Sequence, residues 1–313
     1  MKRILLWSLL TVLLAIPVFI SFGIWSASNQ LLFPVWRDNQ DFSACNPETK
    51  NHWGPSCGNL RNSNEFKFEE LKIPSSNGFD LPTWKISSLQ NGKGKSKGAI
   101  FLVHGGGSDK REMTKHIRFF LKRGLDVFSF DFGCHGEASC AVPGLSYGYR
   151  ESKDVLSMYR YLAKEYDRIY ALGSSVGASS ILISVPEMQK LSAVIVENPM
   201  YSFERLILEF PGTEKEIPAL FSHLLIKLAQ FRGKFETIPS PASSLEKVSS
   251  VPIFFIHSKE DHVVPFRQSQ DLAEIYKGPK KIWFPEKGEH GGVWNINPNE
   301  YEKRLSAFLD SAQ

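Results

Sequence analysis

The stretch Arg168-Ile-Tyr-Ala-Leu-Gly-Ser-Ser-Val-Gly-Ala-Ser-Ser180 joins an apolar run to a segment of small residues. Residues 168–172 are typical of a buried strand, and the segment after Gly177 is typical of a helix. Glycine has no Cβ atom, so Gly173 and Gly177 allow a tight turn between the two. The spacing therefore predicts a strand, a sharp turn and a helix, with Ser175 at the tip of the turn.

The same alternation of apolar strands and amphipathic helices recurs along the chain. The predicted strands are 99–103, 126–130, 168–172, 193–196, 251–256 and 280–284, and the predicted helices are 115–123, 152–166, 177–185 and 299–312. Before them, residues 66–73 and 79–86 alternate like the strands of a hairpin. Strands that alternate with helices form a mostly parallel sheet covered on both faces, so the fold class is α/β.

Between residues 200 and 240 this alternation stops. Two amphipathic, aromatic segments, 203–210 and 217–231, are separated by Pro211-Gly212. They predict a helical cap inserted into the main domain, and a pair of ordinary crossover helices is the alternative. The apolar character of the cap favours a substrate with an apolar acyl or alcohol group.

The first 28 residues differ from the rest of the chain. Lys2 and Arg3 precede twenty-two residues without charge, Ile4 to Trp25. At about 1.5 Å per residue, this stretch is long enough to cross a hydrocarbon core of about 30 Å. The length favours a signal-anchor helix, whereas the small residues Ser26-Ala27-Ser28 fit a cleaved signal peptide. Both interpretations predict an extracytoplasmic main domain, membrane-anchored in one case and secreted or periplasmic in the other.

Composition and charge limit the remaining possibilities. We divide the chain into residues 1–28, a polar linker or covering segment 29–64, and a main domain 65–313 that carries the cap at about 200–240. Of the 313 residues, 42% are hydrophobic, which is enough for a large core. The net charge of +4 is not gathered in blocks, so the sequence argues against a nucleic-acid partner.

Four cysteines occur, Cys45, Cys57, Cys134 and Cys140. Their spacing matches no zinc site, and the sequence predicts neither a metal nor an organic cofactor. On the extracytoplasmic side of a membrane, Cys45 could pair with Cys57 and Cys134 with Cys140. The alternative is that all four are reduced cysteines that serve as small apolar residues.

A glycine-rich or polar loop follows most predicted strands, at the edge where ligands bind in parallel sheets. The loop around Ser175 has the pattern Gly-x-Ser-x-Gly of a nucleophile elbow, although a serine there could also merely cap the helix. A serine nucleophile needs a base and a carboxylate that orients the base. His290 and Asp261 follow in the expected chain order, with Glu260 as the alternative acid and His257 and His262 as rival bases.

An oxyanion hole is the third requirement of such chemistry. The N–H of Val176 directly follows the predicted nucleophile, and the run His104-Gly-Gly-Gly107 offers a second donor, which we assign to Gly106. His104 itself and His135 are interpreted as structural residues that brace their loops.

These motifs together resemble the α/β-hydrolase family over residues 66–312. The resemblance rests on His104-Gly105, Asp131-Phe-Gly-Cys-His-Gly136, Gly173-Ser-Ser-Val-Gly177, Asp261-His-Val-Val-Pro265 and Gly288-Glu-His290. It implies a triad of Ser175, Asp261 and His290, and it is strongest for membrane-anchored or exported serine hydrolases with a short helical cap. Ala178 stands where the family often has a second glycine, and Ser108-Asp109-Lys110 follows the glycine run where the lipase and esterase branch commonly has an aromatic residue.

The resemblance implies hydrolysis of carboxylic esters or thioesters through an acyl-enzyme at Ser175. The expected partners are a small-molecule or lipid-like ester and a membrane reached through residues 4–25. A peptidase or amidase of the same fold is the second hypothesis, and an inactive hydrolase fold that serves as a binding module is the third.

Overall fold

A computed structural model of the chain describes residues 2–34, 45, 47–88, 96–209 and 219–312. Its eight-stranded sheet has the order β1-β2-β4-β3-β5-β6-β7-β8. The strands are β1 (Glu69–Pro74), β2 (Asp80–Ile86), β3 (Ala99–Val103), β4 (Asp126–Phe130), β5 (Ile169–Ser174), β6 (Leu191–Glu197), β7 (Ile253–Ile256) and β8 (Lys280–Trp283).

The helices among the described residues cover both faces of this sheet. The α-helices are α1 (Lys2–Leu32), α2 (Pro47–Trp53), α3 (Ile117–Lys122), α4 (Glu151–Leu162), α5 (Val176–Ser184), α6 (Phe203–Leu208), α7 (Ala219–Gly233), α8 (Pro241–Leu245), α9 (Arg267–Ile275), α10 (Val293–Ile296) and α11 (Pro298–Ser311). Short 3₁₀ helices span Pro55–Gly58, Leu60–Asn62, Glu112–His116 and Val185–Glu187.

The pairing of the strands explains where a site can form. β1, β2 and β4 pair antiparallel, whereas β4, β3, β5, β6, β7 and β8 pair parallel in that spatial order. The chain passes from β3 to β4 on one side of β3 and then returns to β5 on its other side. The loops that follow β3 and β5 therefore meet at a switch point of the sheet, where α/β proteins bind their ligands.

Each face of the sheet packs on its own apolar layer, because successive side chains of a strand point to opposite faces. Phe101 and Ala171 point into the layer that holds α4, α5, α8 and α9. Leu102 and Leu172 point into the layer that holds α3 and α11. β3, β4 and β5 are buried along their whole length, as the continuous apolar runs predict.

Some helix limits differ from those that the sequence predicts. Helix α4 ends at Leu162 rather than at residue 166, because Tyr166 turns back to pack against Phe128 and to donate a hydrogen bond to Asp126. Helix α3 is preceded by a 3₁₀ turn at Glu112–His116.

The predicted cap consists of α6 and α7 in the described part of the chain, and the predicted break at Pro211-Gly212 lies outside it. Helix α7 packs against the end of α1, where Leu32 is fully buried in a cluster with residues of α6 and α7. Helix α1 continues to Leu32, four residues past the boundary at 28 drawn from the sequence. Residues 29–32 are thus helical and belong with the cap rather than with a linker.

Both cysteine pairs form disulfides. Cys45 bonds to Cys57 with a Cα–Cα distance of 5.4 Å, and Cys134 bonds to Cys140 with a Cα–Cα distance of 4.9 Å. One helix among the described residues, α1, is apolar and long enough to cross a membrane over Leu14–Leu32.

Candidate active site

Ser175 occupies the sharp turn between β5 and α5 that the glycine spacing predicts. Its backbone has φ 52° and ψ −116°, a conformation that costs energy for any residue with a Cβ atom. The turn is held by a hydrogen bond of 2.8 Å from Ser175 N–H to the carbonyl oxygen of Glu197. A Cβ atom at Gly177 would lie 2.5 Å from the carbonyl oxygen of Val103, so only glycine lets α5 start so close to β3.

Asp261 and His290 are brought together from the loops after β7 and β8. The Nδ1 atom of His290 lies 2.7 Å from Oδ2 of Asp261. The other carboxylate oxygen, Oδ1, accepts the N–H groups of Val263 at 2.8 Å and Val264 at 2.9 Å. This arrangement fixes the carboxylate and leaves Nε2 as the second ring nitrogen of His290.

His257 contacts the same carboxylate oxygen of Asp261 as His290 does. It is fully buried, and its Nε2 lies 3.1 Å from Oδ2 of Asp261 and 2.9 Å from the carbonyl oxygen of Val264, while Nδ1 lies 2.6 Å from Ser269 Oγ. Burial alone would raise the pKa of Asp261, but the hydrogen bonds from His257 and His290 reverse this effect and hold the pKa well below its usual range. Asp261 is therefore ionised at neutral pH.

The loop that carries His290 lies against the serine turn. A Cβ atom at Gly291 would lie 3.5 Å from Oγ of Ser174, the residue before Ser175. The same loop is tied down on its far side, where Lys115 Nζ donates a hydrogen bond of 3.2 Å to the carbonyl oxygen of Gly291. The fold thus brings Ser175, Asp261 and His290 to one edge of the sheet, from three separate strand ends.

The glycine run after β3 also reaches this edge. Gly105 donates its N–H to Glu112 Oε2 at 2.9 Å, and a Cβ atom at Gly105 would lie 3.4 Å from Cβ of Ser175. A Cβ atom at Gly106 would lie 2.8 Å from a methyl carbon of Val176. Val176 is the first residue of α5, so its N–H is one of those that no carbonyl of the same helix accepts.

The other histidines of the strand-end loops have structural contacts. His104 is buried, with Nδ1 2.7 Å from the carbonyl oxygen of Gly105, and its Nε2 accepts the N–H of Phe132 at 3.1 Å. His135 Nε2 accepts the N–H of Gly107 at 3.0 Å. Both histidines therefore brace the glycine run, as the sequence interpretation expects.

The remaining alternatives for acid and base lie elsewhere. Glu260 accepts the N–H of Gly288 through Oε2 at 3.2 Å, so it supports the loop of His290 rather than the ring itself. His262 is exposed to solvent. The structure brings neither of them against His290 in the way that it brings Asp261.

A buried polar cluster behind the serine turn was missed by the sequence analysis. Glu197 is 2% exposed, and the hydroxyl of Tyr301 donates a hydrogen bond to its carboxylate. Burial raises the pKa of Glu197, and nearby Lys115 opposes that rise. The only sequence signal was an acidic residue at the end of an apolar strand, which does not reveal its partner, 104 residues away.

An apolar wall stands beside the glycine run. It consists of Leu145, Val176, Met200, Leu206 and Val264, with Tyr147 packed against them. A Cβ atom at Gly106 would lie 3.1 Å from a methyl carbon of Leu145, so this wall borders the predicted oxyanion hole. Leu206 belongs to α6, and the cap therefore contributes directly to the site. Among the described residues, no group of three or more His, Cys, Asp or Glu side chains is arranged to hold a metal ion.

Comparisons with known proteins agree with this architecture. The model of the serine aminopeptidase S33 family matches residues 94–244. The uncharacterized protein YqkD of Bacillus subtilis (strain 168) is 27% identical over 259 residues, which cover 78% of this chain and 81% of YqkD. The uncharacterized protein YfhR of Escherichia coli (strain K12) is 22% identical over 249 residues, which cover 78% of this chain and 81% of YfhR.

A solved structure of the Pyrococcus furiosus esterase Pf2001 superposes with a TM-score of 0.62 at 19% identity, covering 79% of this chain and 93% of the esterase. At this level of identity the likeness concerns the fold. The residues that match the family model include the serine turn between β5 and α5. The chain therefore has the α/β-hydrolase fold, and residues 94–244 resemble the serine aminopeptidase S33 family.

Proposed function

We propose that this protein hydrolyses carboxylic esters or thioesters through an acyl-enzyme at Ser175. The observation that carries the proposal is the distance of 2.7 Å between Oδ2 of the buried, ionised Asp261 and Nδ1 of His290. The loop that carries His290 lies against the strained serine turn. An ion pair partner on Nδ1 sets the tautomer and orientation of a histidine that acts as a base through Nε2.

In this mechanism, His290 Nε2 takes the hydroxyl proton as Ser175 Oγ attacks the substrate carbonyl. The N–H groups of Val176 and Gly106 stabilise the oxyanion of the tetrahedral intermediate. The intermediate collapses, and His290 returns the proton to the departing alcohol or thiol. A water molecule then gives its proton to His290 and attacks the acyl-enzyme, which releases the carboxylic acid and restores Ser175. Asp261 stabilises the imidazolium in both halves of the reaction.

We place the catalytic domain on the extracytoplasmic side of a membrane, with α1 as its anchor. The length and apolar composition of α1 support this location. The disulfides Cys45–Cys57 and Cys134–Cys140 support it independently, because such bonds persist in oxidising compartments. Arg3 and Lys2 on the other side of the apolar stretch fit the expected orientation.

Amide or peptide hydrolysis is the second candidate. Two findings favour it, namely the description of the matching family model and a TM-score of 0.57 to the Pyrococcus horikoshii acylaminoacyl peptidase. That superposition covers 80% of this chain and 42% of the peptidase, at 19% identity. The apolar wall at the site favours an acyl ester over a peptide.

The test is covalent labelling of the full-length protein in detergent with a fluorophosphonate probe. We expect the wild type and Ser174→Ala to be labelled and Ser175→Ala not to be labelled. Unlabelled wild-type protein would be assayed in parallel on matched ester, thioester and amide substrates, with the amide expected to be the slowest. Folded wild-type protein that takes no label would contradict the mechanism and favour an inactive binding module, and labelling that survives in Ser175→Ala would place the nucleophile elsewhere.

A further inference from the structure

Helix α7 has two opposite faces of different character. One face packs inward through Ser222, Ile226, Ala229 and Gly233, and the other, the exposed stripe, consists of Leu220, Leu224, Lys227 and Phe231. Both sets repeat at intervals of four, three and four residues, and the two-residue offset between them places them on opposite sides of the helix. A helix in a soluble cap is expected to present polar residues on its outer face.

The apolar members of the exposed stripe are large and well exposed. Leu220 is 65% exposed, Leu224 46% and Phe231 82%, and Ile238 shortly after the helix is 70% exposed. Such groups gathered on one face mark an interaction surface, whereas single apolar residues scattered on a surface do not. The question is therefore what covers the stripe.

The same helix is fixed directly to α1. Arg232 Nη1 donates hydrogen bonds to Ser28 Oγ at 2.9 Å and to the carbonyl oxygen of Trp25 at 3.1 Å, and Nη2 donates one to Asn29 Oδ1 at 3.1 Å. The guanidinium carbon lies 4.6 Å from the centre of the Trp25 ring. Arg232 is the neighbour of Phe231, so the stripe begins beside the point where α7 crosses α1.

Helix α1 presents apolar side chains to its surroundings before that point. Val18, Phe19 and Phe22 are each at least 66% exposed, and Trp25 is 49% exposed. Tryptophan collects at the level of the lipid headgroups, where lysine and arginine also find phosphates. Lys227 lies within the stripe, and Lys234 follows α7. The surface thus has the mixture of apolar and basic groups that an interfacial helix needs.

The end of α1 is also connected to the wall of the active site. The last carbonyl oxygens of α1 accept hydrogen bonds from the main domain. Leu32 O accepts the N–H of Leu145 at 3.0 Å, and Leu31 O accepts the hydroxyl of Tyr147 at 2.9 Å. Leu145 borders Gly106, as described above. The end of α1 therefore contacts both α7 and the wall of the predicted acyl site.

We propose that the exposed stripe of α7 lies in the headgroup region of the bilayer that α1 crosses, so that acyl substrates reach Ser175 from the lipid leaflet. The inference rests on the proposed function for the substrate and on the anchoring role of α1 for the membrane. A bilayer is favoured over a second copy of the chain because α7 is bonded directly to α1, the helix whose length and apolar composition suit a membrane span.

The position of the stripe can be tested without any measurement of activity. All four cysteines of the chain are in disulfides, so a new cysteine can be labelled selectively. Full-length Phe231→Cys and Asp167→Cys would carry a bimane fluorophore in vesicles that contain nitroxide-labelled lipids. Asp167 is the control, because its side chain is 94% exposed and it precedes β5, at the end of the sheet opposite Ser175.

We expect at least threefold stronger quenching by nitroxide lipid at position 231 than at position 167. Equal quenching at both positions, or none at 231, would overturn the proposal even if Ser175 proves to be the nucleophile. Conversely, quenching confined to position 231 would support the location of the stripe even if the ester assay fails.

The path of the substrate needs a second measurement. Leu220→Ser combined with Leu224→Ser should lower hydrolysis of a long-chain ester embedded in the vesicles about tenfold, while hydrolysis of a water-soluble short-chain ester stays within twofold of the wild type. Unchanged hydrolysis of the embedded ester, or equal losses on both substrates, would overturn entry from the lipid leaflet.

Discussion

Asp261 is the residue on which the site depends, because four donors converge on its carboxylate. Two are backbone N–H groups and two are the histidines His257 and His290. His257 lies four positions before Asp261 in the chain, and the side chains of both are fully buried. His257 thus orients Asp261, which in turn orients His290.

Removal of His257 should therefore weaken catalysis without abolishing it. His257→Leu takes one hydrogen bond from an ionised, buried carboxylate, which costs about 2 kcal/mol of folding free energy. We expect kcat for ester hydrolysis to fall about tenfold, with KM little changed, because the orientation of His290 is loosened. His257→Gln, which keeps a donor, should lose less. Equal values of kcat for the wild type and His257→Leu would show that His290 and the backbone suffice to hold Asp261.

Asp261→Asn should have a much larger effect. An amide in this position cannot stabilise the imidazolium and favours the wrong tautomer of His290, a change that lowers kcat about 10⁴-fold in serine proteases. We expect a loss of at least about a thousandfold in kcat here, measured on a soluble ester, and slower labelling by fluorophosphonate. A loss below tenfold would mean that Asp261 has only a structural role.

At the residue scale, the sequence could predict the residues that follow strand ends in a fixed order. Ser175, Asp261 and His290 each follow a predicted strand, so the fold class alone places them at one edge. Glu112 and Glu197 could not be found in this way, because their partners, Gly105 and Tyr301, are set by the packing of elements distant in sequence.

Among the elements, the junction of β5 and α5 depends on the absence of a side chain. The start of α5 approaches the carbonyl oxygens of Val103 and His104 at Gly177 too closely for a Cβ atom. Ala178, where the family often has glycine, is accommodated without exposure in the core. Position 177 therefore requires glycine, whereas position 178 accepts alanine.

Gly177→Ala should consequently destabilise the whole domain. The added methyl group has backbone atoms as its neighbours, which cannot move aside without shifting β3, and we expect a loss of at least about 3 kcal/mol in the free energy of unfolding. Urea denaturation of the purified protein measures this loss. Gly23→Ala is the matched control, because a Cβ atom there meets nothing within 4 Å. Equal midpoints for the two variants would contradict the close approach seen at Gly177.

The hairpin of β1 and β2 is fastened to α4 by one buried carboxylate. Burial raises the pKa of Asp154 from 3.8 to about 6, although hydrogen bonds from Ser75, the N–H of Gly133 and Asn77 lower it in part. The folded state thus holds this proton more tightly than the unfolded state. The resulting stabilisation is complete below about pH 4 and is lost as the pH rises through 6.

A comparison with Asp154→Asn should reveal this titration. Between pH 4 and pH 6.5, the free energy of unfolding of the wild type should fall by about 2 kcal/mol relative to that of the variant, since each pKa unit corresponds to about 1.4 kcal/mol. Denaturant midpoints at several pH values in that range provide the measurement. A constant difference between the two proteins would show that Asp154 titrates normally.

Element limits were predictable where periodicity alone decides them and not where tertiary contacts do. β3 and β5 follow directly from their apolar runs. Helix α4 ends early because Tyr166 packs against Phe128 and donates a hydrogen bond to Asp126. Helix α1 continues past residue 28 because Leu32 packs against the cap. Neither contact is visible in the local pattern of the sequence.

On the scale of the whole molecule, the N-terminal helix is part of the folded domain and not an appendage. Ser28 and Leu32 are both fully buried, and the carbonyls of the last turn bind residues 145 and 147 beside the active site. The cap therefore packs on one side against the site and on the other against the helix that we propose to be the anchor. Cleavage of a signal peptide near residues 26–28 would remove Trp25 and its contacts with Arg232, which favours retention of the helix.

Two shortened chains can measure how much α1 contributes. A chain that begins at Ile24 keeps the contacts of Trp25, Ser28 and Leu32 but loses most of the apolar stretch, whereas a chain that begins after Pro34 loses all of them. Because the second truncation empties a buried leucine site and leaves Arg232 without these partners, we expect it to lower the free energy of unfolding by at least about 3 kcal/mol relative to the first. Urea denaturation of both chains in the same detergent gives the comparison, and the rate of fluorophosphonate labelling should fall in the shorter chain as Leu145 loses its support. Equal stability and equal labelling would mean that the cap and the site wall stand without α1, and that the helix only tethers the enzyme.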